Sequence, residues 1–226
     1  MKQQEIIKRY ALFIVSLFFI GVGIALTKRA DIGISPISSV ANVVSMRFTF
    51  FSFGTWSIVS NMVFLLGQIV ILRRRFQPIQ LLQIPLSFLF GYFTDLGIWL
   101  TQFLPQDSYA MKLLLVAVGC VILGFGISLG VIANVILNSP EAFVRAVADT
   151  LRKKFGSIKI IFDVSLVTIS GVLSLIFFSG ELLGVREGTV ITAVSVGYIV
   201  NHFCRFLKKP LTRLLTADKA SADAVQ

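Results

Sequence analysis

Hydrophobic residues along the chain fall into six long runs separated by short polar segments. The runs lie near residues 10–27, 54–72, 79–101, 111–131, 157–178 and 188–207. A helix of about 20 apolar residues crosses a hydrocarbon core about 30 Å thick. The pattern therefore predicts an all-α membrane protein with six transmembrane helices.

Two shorter helical patterns follow the first and fourth runs, and both begin with Ser-Pro. Ser35-Pro36 opens a segment that ends near Arg47, and Ser139-Pro140 opens one that ends near Leu151. Ser followed by Pro is a helix-start signal, because the hydroxyl can cap free backbone N–H groups and Pro at the first helical position loses no hydrogen bond. We call these two sites the Ser-Pro starts.

The position of these short helices in the membrane has two interpretations. A re-entrant helix would begin at mid-bilayer and return to the side it came from, whereas an amphipathic helix would lie at the interface. The four-residue spacing of Glu141, Arg145 and Asp149 suits the interfacial arrangement, because it could form an ion-pair ladder. The sequence leaves both arrangements open.

The two halves of the chain resemble each other at a nearly constant spacing of 102 to 106 residues. The matched pairs are Gly21 with Gly124, Ser35 with Ser139, Gly54 with Gly156, Asn61 with Asp163, Gly91 with Gly197, and Asp95 with Asn201. Each half has three crossings, so the second must be inserted upside down relative to the first, as in many transporters. We predict inverted three-helix repeats at about 8–104 and 109–210, within one transmembrane domain (1–210), and a polar cytoplasmic tail at 211–226.

Composition and charge agree with a membrane protein and indicate its orientation. The chain is 56 % hydrophobic and 14 % charged, with a mean hydropathy of +0.87. Its net charge of +10 does not predict nucleic-acid binding, because the basic residues flank the apolar runs instead of alternating with aromatics. With a cytoplasmic N-terminus, 16 of the 21 Lys and Arg residues lie on the inner side, as the positive-inside rule requires. Both termini are predicted to be cytoplasmic.

The Ser-Pro starts are the candidate substrate-binding elements. A helix start at mid-bilayer would point its unpaired N–H groups and positive dipole end at the protein centre, where an anion or carboxylate could bind. The predicted binding residues are Ser35, Pro36, Ser38, Ser139 and Pro140.

Four polar residues inside the crossings form a second candidate group: Asn61, Asp95, Asp163 and Asn201. A carboxylate within a membrane is costly and often marks a proton or ion path. The alternative is structural, with each Asp bonded to the Asn of its own repeat as interhelical glue. Both interpretations stay open.

The sequence offers no chemistry typical of an enzyme. It contains no nucleophile with an adjacent base, no His/Cys metal cluster and no phosphate-binding Gly loop. We predict no catalytic residue, no metal and no cofactor. Cys120 and Cys204 fall in different helices, so no disulfide is expected.

Several segments resemble a known family. Ile32-Gly33-Ile34-Ser35-Pro36, the Gly54-Thr55 helix start and the segment from Gly91 to Leu96 resemble YczE/YyaS/YitT-type bacterial integral membrane proteins. The similarity covers most of the first repeat and, more faintly, the second. The family has an aromatic residue and an acid directly after the Pro where this chain has Ile37 and Ser38, so the roles of those residues are not carried over. The resemblance implies a multi-pass protein of the bacterial cytoplasmic membrane and names no substrate.

The expected function is a secondary transporter or channel-like permease for a small solute, more suited to an anionic solute than to a cationic one. Two alternatives are a non-transporting scaffold or regulatory partner, and a substrate-binding membrane subunit of a larger transporter. The expected partners are the lipid bilayer and a small solute, and the chain could also form a homo-oligomer.

Overall fold

The structure, a computed structural model, describes residues 3–223, which form eight α-helices and no strand. Two short 3₁₀ helices, Arg73–Arg75 and Pro78–Leu82, connect the third α-helix to the fourth. The α-helices are α1 (Gln3–Arg29), α2 (Pro36–Arg47), α3 (Phe53–Leu72), α4 (Gln83–Thr101), α5 (Tyr109–Ala133), α6 (Ser139–Leu151), α7 (Phe155–Phe177) and α8 (Glu187–Asp223).

The predicted number of spanning helices is confirmed. Within the described chain, α1, α3, α4, α5, α7 and α8 are long and apolar enough to cross a membrane. The two remaining helices, α2 and α6, are the short ones that follow the Ser-Pro starts. Helix α8 continues past Pro210 to Asp223, so it includes most of the segment predicted as a polar tail.

Contacts between helix ends show that α1 and α5 run in opposite directions and that α1 and α4 end on the same side of the bundle. At one end Arg9 Nη1 donates to the Ala133 carbonyl at 3.0 Å, so the start of α1 lies beside the end of α5. At the other end Arg29 Nε donates to the Leu104 carbonyl at 3.0 Å. The end where α1 begins also holds the groups 73–75 and 152–154, and we call it the basic end.

Helices α1 and α5 form the centre of the bundle, and glycines bring them together. A Cβ added at Gly23 would lie 2.5 Å from the Leu123 nitrogen, and one at Gly126 would lie 2.7 Å from the Ile20 nitrogen. Small residues let helix backbones approach closely in membranes, where dispersion contacts supply much of the attraction. These glycines therefore serve helix packing.

The short helices α2 and α6 each pack against the other half of the chain. Ser170 Oγ on α7 donates to Ser39 Oγ on α2 at 2.7 Å, and the Phe48 and Phe177 rings lie 5.5 Å apart. Helix α2 therefore runs alongside α7, from near the middle of α7 to the end of the bundle opposite the basic end. Helix α6 lies between α3 and α7, where Phe143 packs against aromatic rings from both helices.

The segment between α1 and α2 runs inward in an extended conformation. Ala30, Ile32 and Ile34 are buried, and the Ile32 carbonyl accepts a 2.7 Å hydrogen bond from the Gly188 N–H at the start of α8. Gly33 has a φ of +113°, and a Cβ there would lie 2.6 Å from Thr189 Oγ1. Glycine is therefore required at this position by both backbone angle and space.

Both predicted helix starts exist, but the predicted capping by their hydroxyls is wrong. The Ser35 hydroxyl donates to the Ser38 hydroxyl at 3.2 Å, and the Ser38 N–H donates to the Ser35 carbonyl. Helix α6 begins at Ser139 itself, so Ser139 occupies a helical position and Asn138 precedes the helix. No side chain caps either start in the described structure.

Candidate functional site

A cavity of about 700 Å³ lies at the centre of the bundle, between the two Ser-Pro starts. From there it extends to the basic end, since Gln83 at the beginning of α4 and Phe155 at the beginning of α7 also line it. Its walls include residues from both halves of the chain. The two short helices therefore begin at one shared space.

Most of the predicted site residues line this cavity. They are Ser35, Pro36, Ser38, Ser139 and Pro140 from the short helices, and Asn61, Asp163 and Asn201 from the spanning helices. The predicted residue outside this group is Asp95, which is not part of the cavity wall.

Asp95 binds the start of α3. Its carboxylate accepts hydrogen bonds from Ser52 Oγ at 2.5 Å and from the Gly54 N–H at 2.7 Å. Gly54 lies so close to the Gly91 carbonyl that an added Cβ would collide with it. The acid on α4 thus satisfies unpaired donors at the start of α3 and holds the two helices together at the end opposite the basic end.

The predicted repeat mates of Gly54 and Gly91 do not contact each other. An added Cβ would meet no atom within 4 Å at Gly156 or at Gly197. Among the described residues, α7 and α8 make almost no contact with each other, whereas α3 and α4 are closely packed. The cavity occupies the gap between α7 and α8, near the basic end.

Three charged side chains line the cavity, all from the second half of the chain: Glu141, Lys159 and Asp163. Lys159 and Asp163, one turn apart on α7, form an ion pair. The ion-pair ladder considered for α6 forms only in its second part, where Arg145 Nε contacts Asp149 Oδ2 at 3.2 Å on the exposed surface. Glu141 instead faces the cavity.

Several polar atoms around the cavity have no hydrogen-bond partner within the described chain. Ser139 is only 3 % exposed, and its hydroxyl is unpaired. Glu141 Oε2 and Gln83 Oε1 are also buried atoms without a hydrogen-bond partner. The other amide atom of Gln83, Nε2, donates to Gln68 Oε1 at 3.2 Å. A buried polar group without a partner is costly, so such a group often marks a place where a ligand or ordered water binds.

A second, smaller pocket of about 260 Å³ lies toward the other end of the bundle. It contains Lys28, whose ammonium donates to Asn42 Oδ1 at 2.5 Å and lies 4.6 Å from the centre of the Phe53 ring. Ile34 lines this pocket, whereas the next residue, Ser35, lines the central cavity. The first Ser-Pro start therefore separates the two spaces.

Sequence reasoning missed two charged residues of the cavity, Glu141 and Lys159. Lys159 stands four residues before Asp163, the spacing of an intrahelical ion pair, and this signal could have identified it. The four-residue spacing of Glu141 from Arg145 suits a surface ion-pair ladder, the interfacial alternative, so the sequence does not single out Glu141 as a cavity residue. In the part of the chain that the structure describes, no group of three or more His, Cys, Asp and Glu side chains is arranged to hold a metal ion.

Comparison with known families gives one match, which covers residues 7–205. The chain belongs to the DUF6198 family, a family of unknown function. The match spans all six crossings and both short helices of this DUF6198 member, and it carries no YczE/YyaS/YitT name. No curated protein and no solved structure matches the chain.

Proposed function

We propose that this DUF6198 member is a secondary transporter or channel-like permease of the bacterial cytoplasmic membrane, with its basic end in the cytoplasm. The observation that carries the proposal is the 700 Å³ cavity lined by both Ser-Pro starts. Its volume is within the usual range of about 300 to 1,000 Å³ for small-molecule sites. It is also lined by both halves of the chain, which we predict to be inverted repeats, and inverted-repeat transporters bind their solutes at the interface between the repeats.

In this proposal the short helices are re-entrant. Two observations favour that arrangement over an interfacial one. Helix α2 begins near the middle of α7, at the Ser39–Ser170 hydrogen bond, and the extended residues before it are buried. An interfacial helix would instead begin at the membrane surface, with the preceding residues in water.

The difference between the two halves supports alternating access. In this conformation the Gly54–Gly91 contact closes α3 against α4, while the equivalent helices α7 and α8 are apart. An inverted repeat can exchange these arrangements, so the proposed second state closes α7 against α8 and separates α3 from α4. The cavity would then lose its opening at the basic end and gain one through the Lys28 pocket.

The solute class that this site favours is a small anion or carboxylate. Neither Ser-Pro start is capped by a side chain, and a helix start stabilises a negative charge by about 0.3 to 1 kcal/mol, or up to about 2 in partly buried geometry. Lys159 adds a positive charge to the same wall. Glu141 and Asp163 oppose an anion, and their charge must be balanced during binding.

Uptake into vesicles that contain only this chain tests the proposal. We expect purified protein in lipid vesicles to accumulate at least one solute from a mixture of small carboxylates and inorganic anions, measured by mass spectrometry against empty vesicles. Binding without uptake would indicate a subunit of a larger transporter. Neither binding nor uptake would contradict the proposal and favour the scaffold alternative.

A further inference from the structure

Among the described residues, the charges of the cavity wall leave Glu141 without an ion pair of its own. The Lys159 ammonium pairs with the Asp163 carboxylate on the same helix. If Glu141 is ionised, the three side chains together carry one net negative charge, and if it is protonated they carry none. The protonation of Glu141 therefore decides whether the wall repels an anion.

The surroundings of Glu141 disfavour its ionised form. The residue as a whole is half-buried because it faces the cavity, but its Oε2 atom is closed off from solvent and has no hydrogen-bond partner among the described residues. The neighbouring Ser139 hydroxyl, also buried and unpaired, lies two residues earlier on the same cavity wall. An ionised carboxylate with an unsatisfied buried oxygen is costly, and taking up a proton removes most of that cost.

Few other titratable groups face Glu141. Lys159 and Asp163 do so from α7, and α3, the other helix packed on α6, has no titratable residue between Phe53 and Leu72. On α6 itself, Arg145 and Asp149 pair with each other at the surface. Glu141 lies outside the six spanning helices, and burial raises its pKa above the ordinary value. Lys159 and a hydrogen bond from the backbone of Glu141 oppose this rise, and Asp163 adds to it.

We infer that Glu141 is a proton-binding site of the cavity, and that its proton moves across the membrane together with an anionic solute. Proton binding at Glu141 stands on the geometry alone, whereas the coupling rests on the proposed transport function. The carboxylate takes a proton from cavity water, and the carboxyl then donates its O–H to an oxygen of the anion while Lys159 supplies a positive charge. After the solute leaves on the other side, Glu141 returns the proton to water there. Without the proton, the wall carries its negative charge and repels the anion, so neither species crosses alone.

Infrared spectroscopy of the reconstituted protein tests the proton site without any solute. In a pH titration, the C=O stretch of a protonated carboxyl is expected to persist above the pH range of ordinary carboxylates and then to disappear. Glu141→Gln should lose this band, whereas Asp163→Asn and the carboxyl-retaining Glu141→Asp should keep it. A wild-type spectrum without the band, or a band that is unchanged in Glu141→Gln, would overturn the assignment.

Thiol labelling tests the coupling. Val200 on α8 lines the cavity, so a maleimide added at the basic end reports whether the cavity is open there. In a chain without Cys120 and Cys204, a mixture of small carboxylates and inorganic anions should slow the labelling of Val200→Cys several-fold at low pH but not at high pH, because the wall repels an anion while Glu141 is ionised. In the same chain with Glu141→Gln, the anions should slow labelling at both pH values. Each rate is compared with and without the anions at one pH, which removes the pH dependence of the thiol itself.

The two experiments separate the possible failures. Loss of the infrared band in Glu141→Gln, with the same labelling response to anions in both chains, would leave a proton site but overturn its coupling to the anion. An infrared band that behaves as expected in a protein without any vesicle uptake would contradict the proposed function and leave proton binding intact. Both expected results together support proton-coupled anion transport.

Discussion

At the level of single residues, Asp95 and Asn201, which the sequence spacing predicts to be repeat mates, have different surroundings. Asp95 accepts hydrogen bonds from Ser52 and from the Gly54 N–H. Asn201 is exposed to the cavity, and no hydrogen bond from it is formed within the described chain. Neither aspartate bonds the asparagine of its own repeat, because Asp95 caps α3 and Asp163 pairs with Lys159.

Asp95→Ala should lower the stability of the protein by about 1 to 3 kcal/mol, because it leaves the Gly54 N–H and the Ser52 hydroxyl without their acceptor. Asn201→Ala is the matched control and should change stability by less than about 0.5 kcal/mol. Thermal unfolding of both purified variants in one detergent measures the difference. Equal losses would show that the hydrogen bonds of Asp95 do not distinguish the two halves.

Glu141 should make the stability of the protein depend on pH. Its raised pKa means that the folded protein holds this proton more tightly than the unfolded chain does. The stabilisation is therefore complete below the ordinary pKa of glutamate and is lost as pH rises through the raised pKa, by at most about 1.4 kcal/mol per pH unit. The melting temperature should fall over this range in wild type and stay flatter in Glu141→Gln. Parallel curves would show that Glu141 ionises at its ordinary pKa.

At the level of helices, close approach through glycine distinguishes packed surfaces from open ones. Gly23 lies against the backbone of Leu123, whereas Gly171 on α7 has no neighbour within 4 Å of an added Cβ. Gly23→Ala should cost about 1 to 3 kcal/mol, because the methyl group overfills the α1–α5 contact. Gly171→Ala should be neutral or should stabilise by up to about 1 kcal/mol, because Ala is the better helix former. Thermal unfolding compares the two, and a Gly23→Ala variant as stable as wild type would contradict the close packing.

The open glycines of α7 and α8 test the proposed second state. Gly156→Leu and Gly197→Leu should fold normally, because both positions face open space in this conformation. They should block closure of α7 against α8, so uptake should be lost and Ser57→Cys in the cavity wall should no longer be labelled from the end opposite the basic end. Gly171 faces open space away from the cavity wall. Gly171→Leu is therefore the control, and it should keep both solute uptake and the labelling of Ser57→Cys. Uptake retained in all three variants would contradict alternating closure at this site.

At the level of the whole molecule, the sequence predicts the elements better than their contacts. Hydrophobic run length and the two Ser-Pro signals locate all eight helices, because the bilayer sets the length of a crossing and Pro is favoured at the first turn of a helix. Eight of the nine predicted site residues line one cavity.

Side-chain roles were harder to predict because they depend on which helices touch. Asp95 and Asp163 look alike as intramembrane acids, but the closed α3–α4 contact makes one a cap and the open α7–α8 gap places the other in the cavity. The four-residue spacing on α6 could not show that Glu141 faces inward while Arg145 and Asp149 face outward. The unpaired hydroxyl of Ser139 depends on the exact residue at which α6 begins, a detail that sequence patterns do not resolve.

Sided thiol labelling of Ser35→Cys is the most direct test of a shared cavity open at the basic end. The variant is made without Cys120 and Cys204, and a membrane-impermeant maleimide is applied to intact cells or to inverted vesicles, with Ser139→Cys compared in parallel. We predict that Ser35→Cys is reached through the cavity from the cytoplasmic side, the same side as Ser139→Cys, although the loop that carries it begins at the end opposite the basic end. Free labelling of Ser35→Cys from outside and of Ser139→Cys from inside would instead make both short helices interfacial and contradict the shared cavity.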